Sequence, residues 1–172
     1  AFSYSSGKPG FDAVMLKNGT IYNKALGTSY SLMAISRDGT MFSPSQGLSA
    51  VQLKKGGVRD TFNFGPILLR DGKPASLYDQ GYPQVYASPD MTGPYPRSAA
   101  GMIRPGEYVL LVCNAPGLTL AQMRTIFRQH GCTYAYNMDG GGSATMAYRG
   151  YIMNNPTDGT ERPCGDFLLF SE

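Results

Sequence analysis

A chain of 172 residues is long enough to bury a substantial core and needs no second domain. With 22 Gly, 12 Pro and only 16% charged residues, it excludes a helical bundle and reads as a turn-rich, strand-rich globule. A formal charge of +3, scattered along the chain, gives no surface for nucleic acid, although it suits a phosphate-bearing ligand. Residues 1–10 are small and polar and are expected to be loosely held. Residues 13–17 and 20–22 flank Asn18-Gly19, the strongest short hairpin signal, and residues 32–36 and 40–42 repeat the device around Asp38-Gly39. Residues 49–55 turn helical, with Lys54 and Lys55 in the last turn and Gly56-Gly57 as the stop. Buried strands are expected over 61–64 and 67–69, closed by Asp71-Gly72.

Residues 73–97 interleave Pro74, Pro83, Pro89, Pro94 and Pro96 with Tyr78, Tyr82, Tyr86 and Tyr95. So long a stretch without periodicity marks a functional or disordered loop. Its tyrosines either stack on sugar rings or glue the loop to the surface. Next comes an apolar strand over 107–113. A capping box at Thr119-Leu120-Ala121-Gln122 follows, with Leu118 and Met123 as a hydrophobic staple. Met123, Ile126 and Phe127 give this helix one apolar face, and Gly131 stops it. Residues 132–138 return as a buried strand, so the unit reads as a right-handed crossover between parallel strands.

The segment 57–66 can be laid on 131–140 at a constant offset, with Asn63 and Asn137 in equivalent places and a helix before each copy. The expected fold is therefore α/β in the mixed α+β sense. It has two related strand-helix-strand halves, forming a mixed sheet with helices packed on it, in one domain spanning 1–172.

The chemistry is expected at Asn137-Met138-Asp139-Gly140-Gly141-Gly142-Ser143, at the end of the last buried strand, where open α/β sheets tend to place ligands. Three glycines leave no Cβ between a ligand and the amides, so Gly140, Gly141 and Gly142 are candidates to cradle an anion beside the Asp139 carboxylate. The plain alternative is a glycine-rich turn that Asp139 caps.

Other chemistries fit poorly. Ser143 lacks a triad partner, because His130 suits the helix C-terminus, and no Lys-Ser or Lys-Thr follows the glycines. Cys113, Cys132 and Cys164 cannot all pair and lack metal-ligand spacing. Free buried thiols are expected for Cys113 and Cys132, with one disulfide as the alternative. No cofactor is called for; Asp139 and Asn137 leave Ca²⁺ or Mg²⁺ open without making a site. No apolar run approaches ~18 residues, so no helical membrane span is expected. The start at Ala1-Phe2-Ser3 carries no signal sequence, as in a mature or trimmed chain.

Taken together, several segments resemble the phosphodiester glycosidase family, related to the lysosomal uncovering enzyme. They are Asp38-Gly39-Thr40, Gly57-Val58 with Gly65-Pro66-Ile67-Leu68 and Asp71-Gly72, Pro96-Arg97-Ser98, Gly117-Leu118-Thr119-Leu120, residues 137–143, and Glu161-Arg162. The resemblance implies a mixed α/β domain that hydrolyses sugar-1-phosphodiesters, in bacteria commonly on envelope or exported polysaccharide. Two departures stand out. The family's Asn-Gly segment followed by aromatics near the domain start has no match, so part of the site is expected on residues absent from this chain. Asn114-Ala115 stands where the family often has Asp-Gly.

Phosphate is already a good leaving group, so the usual carboxylate pair relaxes to one base or nucleophile plus anion stabilisers. The catalytic candidates are Asp139, Asn137 and Arg97. The substrate-binding candidates are Gly140, Gly141, Gly142, Ser143, Arg162, Glu161 and Asn63. Arg97 and Arg162 would grip phosphate, and Asn137 and Ser143 would fix hydroxyls or orient Asp139. The expected partner is a phosphorylated carbohydrate. A non-catalytic module that binds anionic glycans is the rival reading.

Overall fold

The computed structural model describes residues 2–5, 8–11, 14–24, 31–76, 92–157 and 159–170, the first two stretches by backbone alone. In chain order the elements are β1 (Phe2–Ser5), β2 (Lys8–Phe11), β3 (Met15–Lys17), β4 (Thr20–Asn23), β5 (Ser31–Ser36), β6 (Met41–Phe42) and helix α1 (Ala50–Lys55). Then follow β7 (Val58–Phe64), β8 (Ile67–Arg70), β9 (Lys73–Pro74), β10 (Arg97–Arg104), β11 (Glu107–Val112), helix α2 (Leu120–Gln129), β12 (Tyr134–Gly140), β13 (Ala147–Tyr148) and β14 (Tyr151–Ile152).

Two units share one plan. In the first, β5 and β6 form a hairpin, α1 follows, and β7 returns beside β5, giving the order β6-β5-β7. In the second, β10, β11, α2 and β12 repeat this as β11-β10-β12. Each helix opens on a glutamine capping box. Ser49 and Thr119 accept from the Gln52 and Gln122 amides, and each glutamine side chain accepts from the cap's own N–H. The repeat expected between 57–66 and 131–140 is thus the visible part of a larger unit, a hairpin, a helix and a strand.

The α+β class holds, and the strand pairing refines it. Every pairing among the described strands is antiparallel. β11 and β12 do run the same way around α2, but β10 lies hydrogen-bonded between them, so the crossover skips a strand. The second unit is extended to five strands by β8 and β9, in the order β11-β10-β12-β8-β9.

The two sheets pack face to face. Met33, Ile35 and Met41 of the first meet Ile67, Ala100, Met102, Tyr134 and Tyr136 of the second. Each helix covers the outer face of its own sheet. Leu120, Met123 and Phe127 of α2 bury against Leu69, Ala99 and Ala135, and Leu53 of α1 packs with Leu16, Ala34 and Val58. Each such large apolar side chain contributes ~1.5–3 kcal/mol by leaving water. The apolar face of α2 is rotated slightly from the sequence expectation: Leu120 joins it, and Ile126 is only half-buried. Gly101 sits directly beneath Phe127, where an added Cβ would lie 2.5 Å from Cδ1 and 2.9 Å from Cys132 Sγ.

Both expected hairpins form, at Asn18-Gly19 and Asp38-Gly39. Thr61 pins the first to β7 by accepting from the Leu16 amide at 2.9 Å and donating to the Val14 carbonyl at 3.1 Å. Asp38 is a turn residue: its carboxylate accepts from the Ser36 hydroxyl and the Thr40 amide, which hold it below the usual carboxylate range. Residues 77–91, with Tyr78, Tyr82, Tyr86, Pro83 and Pro89, lie outside the described residues. All three cysteines are free thiols; Cys132 is buried, while Cys113 and Cys164 are half-buried. No described helix is long and apolar enough to cross a membrane.

Candidate active site

β12 carries the glycine motif out of the core. Its apolar run ends at Met138, and Asp139 emerges exposed at the strand end. Gly140 is still extended, and residues 141–143 then close one 3₁₀ turn. The turn is held from both sides. The Gly140 amide donates to Asp139 Oδ1 at 2.8 Å, the Gly141 amide to the Pro96 carbonyl at 2.9 Å, and Ser98 Oγ to the Asp139 carbonyl at 2.7 Å. A Cβ at Gly140 would meet the Pro96 carbonyl oxygen at 2.5 Å, and one at Gly141 would meet Tyr95 Oη at 2.9 Å. These glycines therefore let the turn rest on the Tyr95–Pro96 backbone. The amide cradle expected from the sequence is not built at Gly140 or Gly141, whose N–H groups are both used internally.

The second oxygen of Asp139 takes no partner among the described residues, and Asp139 lines a cleft of ≈ 290 Å³. Phe62 and Phe64 supply its aromatic wall, and fully buried Tyr136 backs them. Tyr136 is fixed there because its hydroxyl donates to the Ser31 carbonyl at 2.5 Å and accepts from the Phe64 amide at 2.7 Å. The polar lining comes from Asn63, Ser98, Asp139, Ser143, Arg162 and Asp166. Arg162 reaches Ser143 Oγ at 3.5 Å. Asp166 is a second carboxylate on the same cleft, paired with Lys17 Nζ at 2.6 Å. Lys17 is itself held over the Phe62 ring at 3.5 Å and donates to the Thr61 carbonyl at 2.9 Å. The C-terminal strap around 162–166 is thus clamped to the first sheet through Lys17.

A carboxylate with a free oxygen, a guanidinium, hydroxyls and aromatic faces on one concave surface suit a sugar that carries an anionic group. The family profile described as phosphodiester glycosidase matches residues 2–171. The chain belongs to the phosphodiester glycosidase family. It is 30% identical over 167 residues to the SPbeta prophage-derived uncharacterized protein YomE of Bacillus subtilis (strain 168), covering 92% of this chain and 25% of that protein. Its fold is similar to the zebrafish N-acetylglucosamine-1-phosphodiester alpha-N-acetylglucosaminidase catalytic domain auto-inhibited by pro-peptide, with a TM-score of 0.65 and 19% identity. That match covers 84% of this chain and 50% of the zebrafish chain. A hypothetical protein from Synechocystis matches with a TM-score of 0.51 and 15% identity, over 80% of this chain and 33% of the other. The chain therefore spans a quarter of its curated relative and half of the zebrafish chain.

Within this phosphodiester glycosidase domain, the cleft collects Asp139, Asn63, Ser143 and Arg162 from the residues singled out in the sequence. Arg97 and Asn137 lie elsewhere. Arg97 opposes Gly140 in the β10–β12 register, but its side chain turns to the helix-covered face and is 2% exposed. There its guanidinium donates to the Leu118 carbonyl at 2.7 Å and the Gly93 carbonyl at 3.0 Å, bracing the Tyr95–Pro96 shelf under the glycine turn. Strand alternation explains this: adjacent Ser98 takes the cleft side.

Asn137 is fully buried and donates from Nδ2 to the Gly65 carbonyl at 2.7 Å, while its backbone bonds Gly65 and Pro66. It locks β12 to the β7–β8 crossing and does not line the cleft; its Oδ1 is buried with no hydrogen bond among the described residues. Glu161 borders only the neighbouring groove. Sequence reasoning missed Asp166, Ser98, Tyr136, Phe62 and Phe64. The aromatics were signalled by alternation around Asn63 and Asn137; Asp166 stands in a segment without periodicity. Among the described residues no three His, Cys, Asp or Glu side chains gather as a metal site.

Proposed function

We propose that this chain hydrolyses the bond between the anomeric carbon and the phosphate oxygen of a sugar-1-phosphodiester. The substrate class is a GlcNAc-1-phosphodiester or a similar phosphodiester-linked envelope or exported glycan. The observation that carries the reading is Asp139, with one oxygen unpaired among the described residues, facing the same cleft as Arg162, Ser143 and the aromatic wall. Asp139 drives attack at the anomeric carbon, as base to a water or as the first nucleophile. In the net reaction the water oxygen bonds to that carbon, the C–O bond pair leaves with the phosphate, and a phosphomonoester is released. Such a leaving group needs little protonation, so one carboxylate and a cation suffice. Arg162 binds the phosphate oxygens, Phe62 and Phe64 face the sugar ring, and Asn63 and Ser143 fix its polar groups. Asp166, held by Lys17, is the second carboxylate available to a sugar hydroxyl or to the departing group.

The test is sugar release from GlcNAc-1-phosphate methyl diester by the wild type and Asp139→Asn. Asparagine keeps the oxygen that accepts from the Gly140 amide, so folding is retained within about 0.5 kcal/mol. Turnover is expected to fall ~10²–10⁴-fold. Binding of the diester without release by the wild type would make the domain a glycan-binding module. Equal rates for both proteins would remove Asp139 from the chemistry.

A further inference from the structure

A second groove of ≈ 300 Å³ adjoins the catalytic cleft, and the two have Ser98, Met138, Ser143, Arg162, Cys164 and Asp166 in common. Beyond those residues the chemistry changes. The second groove is walled by Leu110 and Val112 of β11, Met146 and Ala147 after the glycine turn, and Phe167 and Leu169 of the strap. Leu110, Phe167 and Leu169 are 40%, 65% and 86% exposed, so apolar surface faces water along this groove. Ser98 and Arg162 stand at the join, one bonded to the Asp139 carbonyl and the other reaching Ser143.

A phosphodiester has two alcohols, one on each side of its phosphate. With the phosphate at Arg162 and the sugar against the aromatic wall, the second alcohol leaves the catalytic cleft through the shared residues and enters the apolar groove. We propose that this groove is the subsite for the second alcohol and that it selects an apolar one, an alkyl, prenyl or aryl alcohol. The assignment rests on the glycosidase reading above. It rests also on the continuity of the two grooves and on the change from polar to apolar lining at the residue that carries the positive charge. The groove volume lies at the lower end of the ~300–1,000 Å³ range of ligand pockets. Glu161 is the one acidic side chain that lines this groove and not the cleft, and it disfavours an anionic second alcohol.

The experiment compares kcat/KM for the methyl, octyl and glyceryl diesters of GlcNAc-1-phosphate. All three break the same sugar C–O bond and release a singly substituted phosphate, so the difference reads the second subsite. Each buried methylene is worth about fourfold in binding. The octyl diester is expected to exceed the methyl and glyceryl diesters by about tenfold or more. Leu169→Asp, at a position exposed enough to tolerate it, is expected to erase that preference. Equal rates for the three diesters, or a preference for glyceryl, overturn the subsite while leaving the glycosidase reading in place. An octyl preference that survives Leu169→Asp places the alkyl chain elsewhere and also overturns it. Failure to hydrolyse any of the three overturns both.

Discussion

The contact between Gly141 and Tyr95 separates a packed turn from an amide cradle. Gly141 has φ +58°, and a Cβ placed there would stand 2.9 Å from Tyr95 Oη but 3.5 Å from Cε1 and Cζ. In Gly141→Ala the left-handed backbone costs ~1–2 kcal/mol. Overpacking against the phenol oxygen adds about 1 kcal/mol, the low end of its usual range, because a side-chain tip can yield. The sum, about 2–3 kcal/mol, lowers Tm by roughly 4–12 °C in a chain of this length. In a Tyr95→Phe background the nearest atoms are at ordinary contact distance, so only the backbone part remains. Urea unfolding of the wild type, both single variants and the double variant should give a coupling of about 1 kcal/mol in the favourable direction, above the ~0.3–0.5 kcal/mol scatter of independent sites. Additivity within that scatter would refute the packing account. Loss of turnover in Gly141→Ala with an unchanged Tm would restore the amides to the substrate, against the hydrogen bond from the Gly141 amide to Pro96.

Gly101→Ala forces Phe127 off the sheet by a contact 2.5 Å from its ring and should cost ~1–3 kcal/mol in chemical denaturation, with kcat close to wild type because the helix covers the face away from the cleft. Native alkylation at pH 8 should modify Cys113 and Cys164 and spare Cys132, whose thiol burial pushes up to about 11; reaction of all three before unfolding would contradict this burial. The same raised thiol makes the folded state hold a proton that the unfolded chain releases near pH 9. Its contribution to stability is full below that pH and lost as pH rises through 11, and buried Tyr134, also pushed up, acts in the same direction. Thermal melts from pH 8 to 11 should therefore fall steadily, and less so in Cys132→Ala relative to its own value at pH 8.

Local signals were legible where they rest on neighbours in sequence. Asn18-Gly19, the Thr119–Gln122 capping box and the strand-end position of Asp139 all follow from short-range chemistry, and the structure keeps each of them. What could not be read was which side of a strand a residue faces once strands pair across long separations. Arg97 and Ser98 are adjacent, and one residue of register decides which of them enters the cleft. Asp166 was invisible for a related reason: its partner Lys17, which ties the strap to the first sheet, lies some 150 residues earlier. The pairing of β10 between β11 and β12 was hidden likewise, since the first strand of each repeated unit carries no counterpart motif to align.

The repeated plan also accounts for the proposed site lying in only one half. Asn63 and Asn137 are equivalent, so Gly65 in the first unit stands where Asp139 stands in the second. The end of β7 is consumed by the fold: Gly65 and Pro66 are buried, and the chain passes directly into β8, which pairs with β12 of the other sheet. A carboxylate at position 65 would be desolvated in that crossing at a cost of several kcal/mol without a partner. The end of β12 meets no such demand. After Asp139 the chain turns back over the Tyr95–Pro96 shelf, leaving the carboxylate at the surface beside the strap. If this is the reason, Gly65→Asp should unfold the protein or cost several kcal/mol, while Asp139→Gly should leave stability nearly intact and abolish turnover. A stable, active Gly65→Asp variant would show that the two strand ends are interchangeable and that burial of the crossing does not decide where the chemistry sits.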